Sequence, residues 1–381
     1  MPETPRRARQ AATLSLVFGA VLLAGAAAGG WGDSDAPGRR LSADAAPAAV
    51  ATLAAGQDPA GAALSEQQAE HLIGANGDRW GAYYSAQEYA EFSQGLDGRY
   101  LGVGLSVGRG QDGVTAVSQV QPGGPAAEAG IAAGDRLLRI GADQADRLPV
   151  TEVVARLRGR EGERQVGSEV VLAVQRADGE VREVRLRRAL LDSQQVAVER
   201  LDRGVVRIAV RAFTSGVAEQ VRAALRGPHA GVVLDLRGNS GGLVEEAAGT
   251  AAAFLDGGPI GSYQERGETR ELTAPAGGDQ RTPLVVLVDG GTMSAAELLT
   301  GALQDRSRAV VVGARTFGKG TVQQPSRLAD GAVLELTVGR YFTPSGRSPE
   351  GGGLTPDVPA AGTEDAGALA LRVLAGLGTR T

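Results

Sequence analysis

Two apolar runs, GVVLDL at 231–236 and PLVVLVD at 283–289, constrain the fold more than any other feature of the chain. Each is short, rich in Val and Leu, and bounded by turn residues, the pattern of a strand buried on both faces. Such strands belong in the middle of a sheet that helices cover on both sides, which makes the surrounding segment an α/β domain. Its neighbours agree. VVRIAV at 205–210 and AVVVG at 309–313 are further strands, and AVLELTVGRYF at 332–342 is a long alternating one. Thr214 or Ser215 caps a helix with Val217, Val221, Ala224 and Leu225 on its buried face, and a second helix runs from about Ser294 to Gln304.

A β-rich module precedes this domain. RYLGVGLSVG and VTAVSQV are strands, PGGPAAEAGI a turn entering a short helix, and GDRLLRIGAD a turn and strand. VTEVVARLRG is an amphipathic helix with Val153, Val154 and Leu157 on one side, followed by a hairpin around Asp178-Gly179. Further upstream, two helices are expected between 64 and 98, the second capped by Ser85. Residues 29–63, rich in Ala, Gly, Pro and Asp, form a linker. At the start, Arg6, Arg7 and Arg9 precede 18 uncharged residues from Ala11 to Ala28, the pattern of an export signal, either cleaved after the small residues or kept as an anchor. The expected divisions are 1–28 signal or anchor, 29–63 linker, 64–98 helical region, 99–189 β-rich module, 190–358 α/β core, and 359–381 a tail with a short helix. The two helices between 64 and 98 and that tail helix either serve dimer contacts, giving a homo-oligomer, or cap the core.

Composition removes whole classes of function. The 381 residues carry a net charge of -5, giving no electrostatic footprint for nucleic acid. There is no cysteine, which excludes a thiol nucleophile, a thiolate metal site and a lipid-modified cysteine. The two histidines, His71 and His229, are too few for most zinc hydrolase sites, and neither a metal nor a cofactor is expected. Among 39 basic residues, one is lysine: Lys319, in the glycine-flanked turn FGKG.

Chemistry gathers around that lysine. Ser294 ends the turn after a buried strand and stands at the start of an apolar helix, where unpaired N–H groups and the helix dipole favour developing negative charge. Thr292 and Ala296 stand where GxSxG requires glycine, so an α/β-hydrolase elbow is disfavoured, and serine is also a preferred cap. A serine hydroxyl needs a base to become nucleophilic. A desolvated lysine can be that base, whereas arginine stays protonated. Lys319 follows Ser294 by 25 residues, across one helix and one strand, a unit that returns the chain to the same strand ends. A third element, VVLDLRGNSGG, ends a buried strand in Asn239, Gly241 and Gly242, whose backbone N–H groups can face a reacting oxygen.

In this order, DLRGNSGG, DGGTMSAAE, FGKGTVQ and RYFTPSGRSPEGGGLTPDV resemble the signature segments of the C-terminal processing peptidases, also called tail-specific proteases. YLGVGLSV with QPGGPAAEAGIAAGDRLLRIGA resembles their PDZ domain, and the likeness spans about residues 64–358. The resemblance implies a crotonase-like α/β peptidase core with a PDZ domain, working as a Ser-Lys serine endopeptidase, and the export pattern at the start places it in the cell envelope, anchored or secreted. It implies Ser294 as nucleophile, Lys319 as general base and Gln323 as the group orienting the lysine. The oxyanion donors would be the N–H groups of Ala295 and of Gly241 or Gly242, with Ser240 replacing the proline of many relatives.

GVGL, comprising Gly102, Val103, Gly104 and Leu105, looks like the PDZ loop that binds a free carboxylate. Leu105 and Val107 alternate toward one face, so the expected partners are proteins or peptides with free, apolar C-termini. The resemblance also implies that the PDZ domain moves the protease between resting and active arrangements. Two other readings compete: an inactive PDZ adaptor that binds tails without cutting, and a small-molecule amidase using a Ser-Lys pair.

Overall fold

The computed structural model describes residues 64–110, 112–159, 163–265, 268–361 and 364–378. The Arg-flanked apolar run at 11–28 and the linker at 29–63 lie outside the described residues. Among those described, no helix is long and apolar enough to cross a membrane. Contacts divide the described chain into two compact units, residues 99–192 and residues 64–98 with 193–378.

The chain enters the larger unit through helix α1 (Glu66–Ala75), strand β1 (Ala82–Tyr84) and helix α2 (Ala86–Leu96). Both helices begin with capping boxes, Ser65 with Gln68 and Ser85 with Glu88, so each polar cap satisfies N–H groups that the first turn leaves open. The region 64–98 is not a body of its own. Leu64, Ala69 and Leu72 bury against Leu328, Ala332 and Leu334 of the later chain, and β1 pairs within a sheet there.

The smaller unit contains β2 (Arg99–Gly102), β3 (Leu105–Arg109), β4 (Thr115–Val120), α3 (Pro125–Glu128), β5 (Arg136–Ile140), β6 (Asp143–Gln144), α4 (Val150–Arg158), β7 (Glu169–Gln175), β8 (Val181–Arg187) and β9 (Ala189–Asp192). Its main sheet runs β3-β4-β5-β7-β8, with β6 on β5, while β2 pairs with β9. The β7–β8 hairpin turns at Asp178-Gly179, where Gly179 has φ 89° and the Asp178 carboxylate accepts the Glu180 N–H at 2.9 Å. Val153 and Leu157 of α4 join Val103, Leu137, Leu172 and Leu186 in the core. Strand β3 lies at the sheet's end, so among the described residues one of its edges has no partner strand.

The larger unit resumes with β10 (Val196–Arg200), β11 (Val205–Val210), α5 (Val217–Ala224), β12 (Gly231–Asp235), α6 (Val244–Ala251), β13 (Pro259–Glu265), β14 (Glu268–Thr273) and β15 (Leu284–Val288). It closes with α7 (Ala295–Asp305), β16 (Val310–Gly313), β17 (Thr321–Arg327), β18 (Val333–Phe342), β19 (Val358–Pro359) and α8 (Ala366–Gly378). One sheet runs β10-β11-β12-β15-β16-β19, parallel except for β10. Every residue of β12 and β15 is buried, as their uninterrupted apolar sequences require. Helices α5, α6 and α7 cover one face. On the other, Ala370 and Leu374 of α8 bury against Val233, Val285, Leu287 and Val312, so the terminal helix caps the core. A second, antiparallel sheet gathers β1, β13 and β17 around the ten-residue β18, with β14 beyond β13. The β13–β14 pair has no counterpart in the sequence reading: β14 is charged and largely exposed, and β13 shows too little apolar alternation.

The start of α5 differs from expectation. Neither the Thr214 nor the Ser215 side chain caps it: Gly216 is the N-cap, at φ 87°, with no side-chain cap bond. The Glu246 carboxylate of α6 takes that role, accepting the N–H groups of Gly216 and Ala218, each at 2.8 Å. Glu246→Ala therefore removes a tertiary cap, with an expected loss of about 1 kcal/mol of stability, to be read as a lower midpoint in thermal or urea unfolding.

Candidate active site

The ends of β12 and β15 are stitched together before Ser294 is reached. The Thr292 hydroxyl donates to Leu236 O at 2.9 Å, and the Met293 N–H to Asn239 O at 2.9 Å. The Asp289 carboxylate accepts the N–H groups of Gly238 and Gly291 at 2.8 and 2.9 Å. Held from both sides, Ser294 adopts φ 57° and ψ −121°, which no L-residue adopts freely. Such strain costs on the order of 1–3 kcal/mol and persists only where the surroundings impose it. GxSxG is missing, yet the strand-to-helix turn is as sharp as those that expose a nucleophile.

Glu297, one turn into α7, connects this serine to the lysine loop. Fully buried, it accepts the Ser294 N–H at 3.0 Å, the Thr316 hydroxyl at 2.5 Å, and the N–H groups of Gly318 and Lys319 at 2.8 and 2.9 Å. Four donors on two oxygens match the lone pairs of an ionised carboxylate. Burial pushes its pKa above the ordinary glutamate value against the pull of those hydrogen bonds. The sequence reading missed Glu297, although a glutamate three residues after a serine that starts a helix is the capping-box pattern.

Lys319 thus lies in the same cluster as Ser294, with a backbone fixed by Glu297 and by the Tyr341 hydroxyl, which donates to its carbonyl. Its amine lies 4.8 Å from the centre of the Trp80 ring. Burial lowers the lysine pKa, while the charges of Glu335, Glu350 and Asp78 resist that shift. The Tyr341 phenol is buried, which raises its pKa well above the ordinary tyrosine value, and the nearby Ser294 hydroxyl opposes that shift. Among the described residues, no hydrogen bond joins the Lys319 amine to Ser294 or to Gln323. Instead, the Gln323 amide donates to the hydroxyls of Thr321 at 2.8 Å and Thr337 at 3.2 Å, so in this arrangement it does not orient the lysine through its nitrogen.

The glycine loop does approach the serine. A Cβ built on Gly241, whose φ is 95°, would lie 2.9 Å from Ser294 Cβ. The Gly241 N–H, however, donates to Asn239 Oδ1 at 2.8 Å, which takes it out of an oxyanion-binding role in this arrangement. The Ala295 and Gly242 N–H groups have no hydrogen-bond partner among the described residues. Any Cβ at Gly242 would meet Phe213 O at 2.2 Å, so only glycine fits there.

In the smaller unit, Gly102 ends β2, Leu105 opens β3, and Val103 and Gly104 form the loop between them. Val103 is 1% exposed, so its side chain belongs to the core and only its backbone faces outward chemistry. Gly104 has φ 79°. The Val103 and Gly104 carbonyls accept from Ala126 and Gln121, whereas their N–H groups have no partner among the described residues. Two unpaired N–H groups leading into an open strand edge suit an extended peptide ending in a carboxylate. Leu105 and Val107 pack together against the core, as their alternation predicts. Neither histidine joins a site. His71 is exposed on α1, and His229 bonds Gly227 O at 2.9 Å. No cluster of His, Cys, Asp and Glu among the described residues suits a metal ion.

A serine in a strained turn and a half-buried lysine in the same cluster, beside a separate β-rich unit, are the parts of a peptidase-type site, and the comparisons point the same way. Residues 203–360 match the model of peptidase family S41, and residues 93–175 match that of the PDZ domain. A probable CtpA-like serine protease of Staphylococcus aureus is 30% identical over 303 residues, 77% of this chain and 60% of that protein. A carboxy-terminal-processing protease of Bartonella bacilliformis is 31% identical over 293 residues, 74% of this chain and 66% of that protein. The chain thus spans less than two thirds of the length of these relatives. The solved structure of an S41 protease from Bacteroides fragilis, 18% identical, superimposes with a TM-score of 0.56 over 89% of this chain and 100% of that one, which shows a shared fold.

Proposed function

We propose that the protein is a serine endopeptidase that binds the C-terminal tail of protein substrates with its PDZ domain and cleaves peptide bonds with Ser294 and Lys319. The observation that carries this reading is the Glu297 carboxylate, which binds the Ser294 N–H at 3.0 Å and the Lys319 N–H at 2.9 Å, anchoring nucleophile and base to one group. In the reaction, neutral Lys319 removes the Ser294 proton as the oxygen attacks the peptide carbonyl. The Ala295 N–H, with a glycine N–H of the 241–242 loop, holds the oxyanion. Collapse expels the amine, which takes the proton from the Lys319 ammonium. Water, deprotonated by the same lysine, then hydrolyses the acyl-serine and releases the new carboxyl end. The arrangement described above is the resting one, and the reaction requires the amine to exchange the Trp80 ring for the Ser294 hydroxyl.

Tail recognition is supported by the unpaired Val103 and Gly104 N–H groups beside the open β3 edge. We also propose that the chain works outside the cytoplasm, on the strength of the Arg-flanked apolar run at 11–28. The test is cleavage of an unstructured protein by wild type and Ser294→Ala, with the substrate's C-terminus free or amidated. Cleavage lost with Ser294→Ala, and preference for the free carboxylate, are the expected results. Equal cleavage of both substrates would sink tail recognition and favour the amidase reading. Tail binding without cleavage would favour the adaptor.

A further inference from the structure

Trp80 lies in the turn between α1 and β1, outside the two stretches that match the family models. Four observations show that it is built into the surroundings of Lys319. First, the Lys319 amine lies 4.8 Å from the centre of the indole, within reach of a cation–π attraction. Second, the ring is fixed on its other contacts: Phe317 packs on it with centroids 5.8 Å apart, and the Arg79 guanidinium lies 4.5 Å from its centre.

Third, the turn is tied to the strand beside the site. Asp78 accepts the Trp80 N–H at 3.1 Å and the Gly81 N–H at 3.0 Å, and it also accepts the Thr337 N–H and hydroxyl at 2.7 and 2.8 Å. Thr337 in turn receives the Gln323 amide at 3.2 Å. Fourth, the indole N–H is buried and has no hydrogen-bond partner among the described residues. An orphaned donor is a penalty that packing alone does not explain.

Lys319 makes no ion pair within 4.0 Å among the described residues, so the aromatic face is its direct neighbour. The charged and titratable groups around it are Glu335 of β18, which Tyr84 of β1 hydrogen-bonds at 3.4 Å, Glu350 of the following loop, Asp78 and Arg79 of the turn, and Glu297 through the Lys319 N–H. Three carboxylates at longer range favour the ammonium, and the ring supplies the contact.

We propose that Trp80 is a positioning residue for the base: its indole face is the resting platform of the Lys319 ammonium, holding it off Ser294 until the amine is discharged. Regulation of the site then begins at the lysine itself. The neutral amine, which is the form able to take the Ser294 proton, is the form the ring does not retain. This inference rests on reading Lys319 as the general base, but its test does not depend on activity.

Lys319 is the sole lysine of the chain, so lysine labelled with 13C at Cε gives one resonance from it. In wild type, its methylene protons are expected upfield of the ordinary lysine position, displaced by the indole ring current. Titration to the neutral amine should remove that displacement. Trp80→Leu, which keeps an apolar wall without the ring, should remove it at every pH and lower the titration midpoint by roughly 0.5–1.5 pH units. Trp80→Phe should restore part of both effects, which guards against a leucine variant that merely misfolds. An ordinary lysine shift in wild type, or a displacement equal in both charge states, would overturn the proposal. So would a midpoint unchanged in Trp80→Leu. If Ser294→Ala retained cleavage while the ring-current result held, the protease reading would fall and the platform would stand.

Discussion

Lys319→Arg is expected to lower kcat/KM toward an unstructured protein by about 10⁴-fold or more, in line with losses seen when one member of a nucleophile–base pair is removed. The replacement keeps a positive charge and nearly the same reach, but a guanidinium does not deprotonate in a protein. Lys319→Met, which fills similar space without an amine, should lose as much activity while thermal unfolding reports an intact fold. Either variant retaining activity within tenfold of wild type would remove Lys319 from the mechanism.

The wild-type pH profile follows from the same residue. Burial lowers the Lys319 pKa from its ordinary value of 10.5. The acid limb of kcat/KM should therefore have its midpoint below 10.5, with activity rising as pH rises and the amine is discharged. Stability should move in the same direction. Between the lowered folded value and the ordinary unfolded one, the unfolded chain binds the extra proton, so rising pH in that window favours the folded state. An acid limb that keeps its midpoint in Lys319→Met would assign it to another group.

Glu297→Ala is the second large effect. It leaves the Ser294, Gly318 and Lys319 N–H groups and the Thr316 hydroxyl without their common acceptor in a fully buried position. A single such orphan costs about 1–3 kcal/mol, so the expected destabilisation is at least about 3 kcal/mol. For a unit of this size, that corresponds to a fall in Tm of roughly 6–12 °C. Activity should fall by more than the folded fraction does, by about 10²-fold, because the serine turn and the lysine loop lose their shared anchor and shift relative to each other. Glu297→Gln should fall between the two, since its amide NH₂ faces backbone donors that it cannot accept. Unchanged kcat in a folded Glu297→Ala protein would show that the carboxylate serves the fold alone.

Much of this molecule follows from patterns within a few residues. The uninterrupted apolar runs at β12 and β15 require helices on both sheet faces, and the buried face of α5 is visible in the spacing of Val217, Val221 and Ala224. The Asp178-Gly179 hairpin, the Ser85 cap and the GVGL loop are equally local, as is a lone lysine between glycines. These features were legible because periodicity, caps and turns are set by neighbouring backbone geometry.

The tertiary structure decided the rest, since its decisive contacts join distant positions. Glu297 meets Lys319 across 22 residues, and Asp78 meets Thr337 across 259. The strained φ of Ser294 arises from bonds that tie its turn to β12, and Glu246 replaces a local cap only because α6 packs beside α5. Asn239 withdraws the Gly241 N–H, and Trp80 meets Lys319, for the same reason. A buried donor takes whichever acceptor the packed fold brings to it, and no local pattern records that choice.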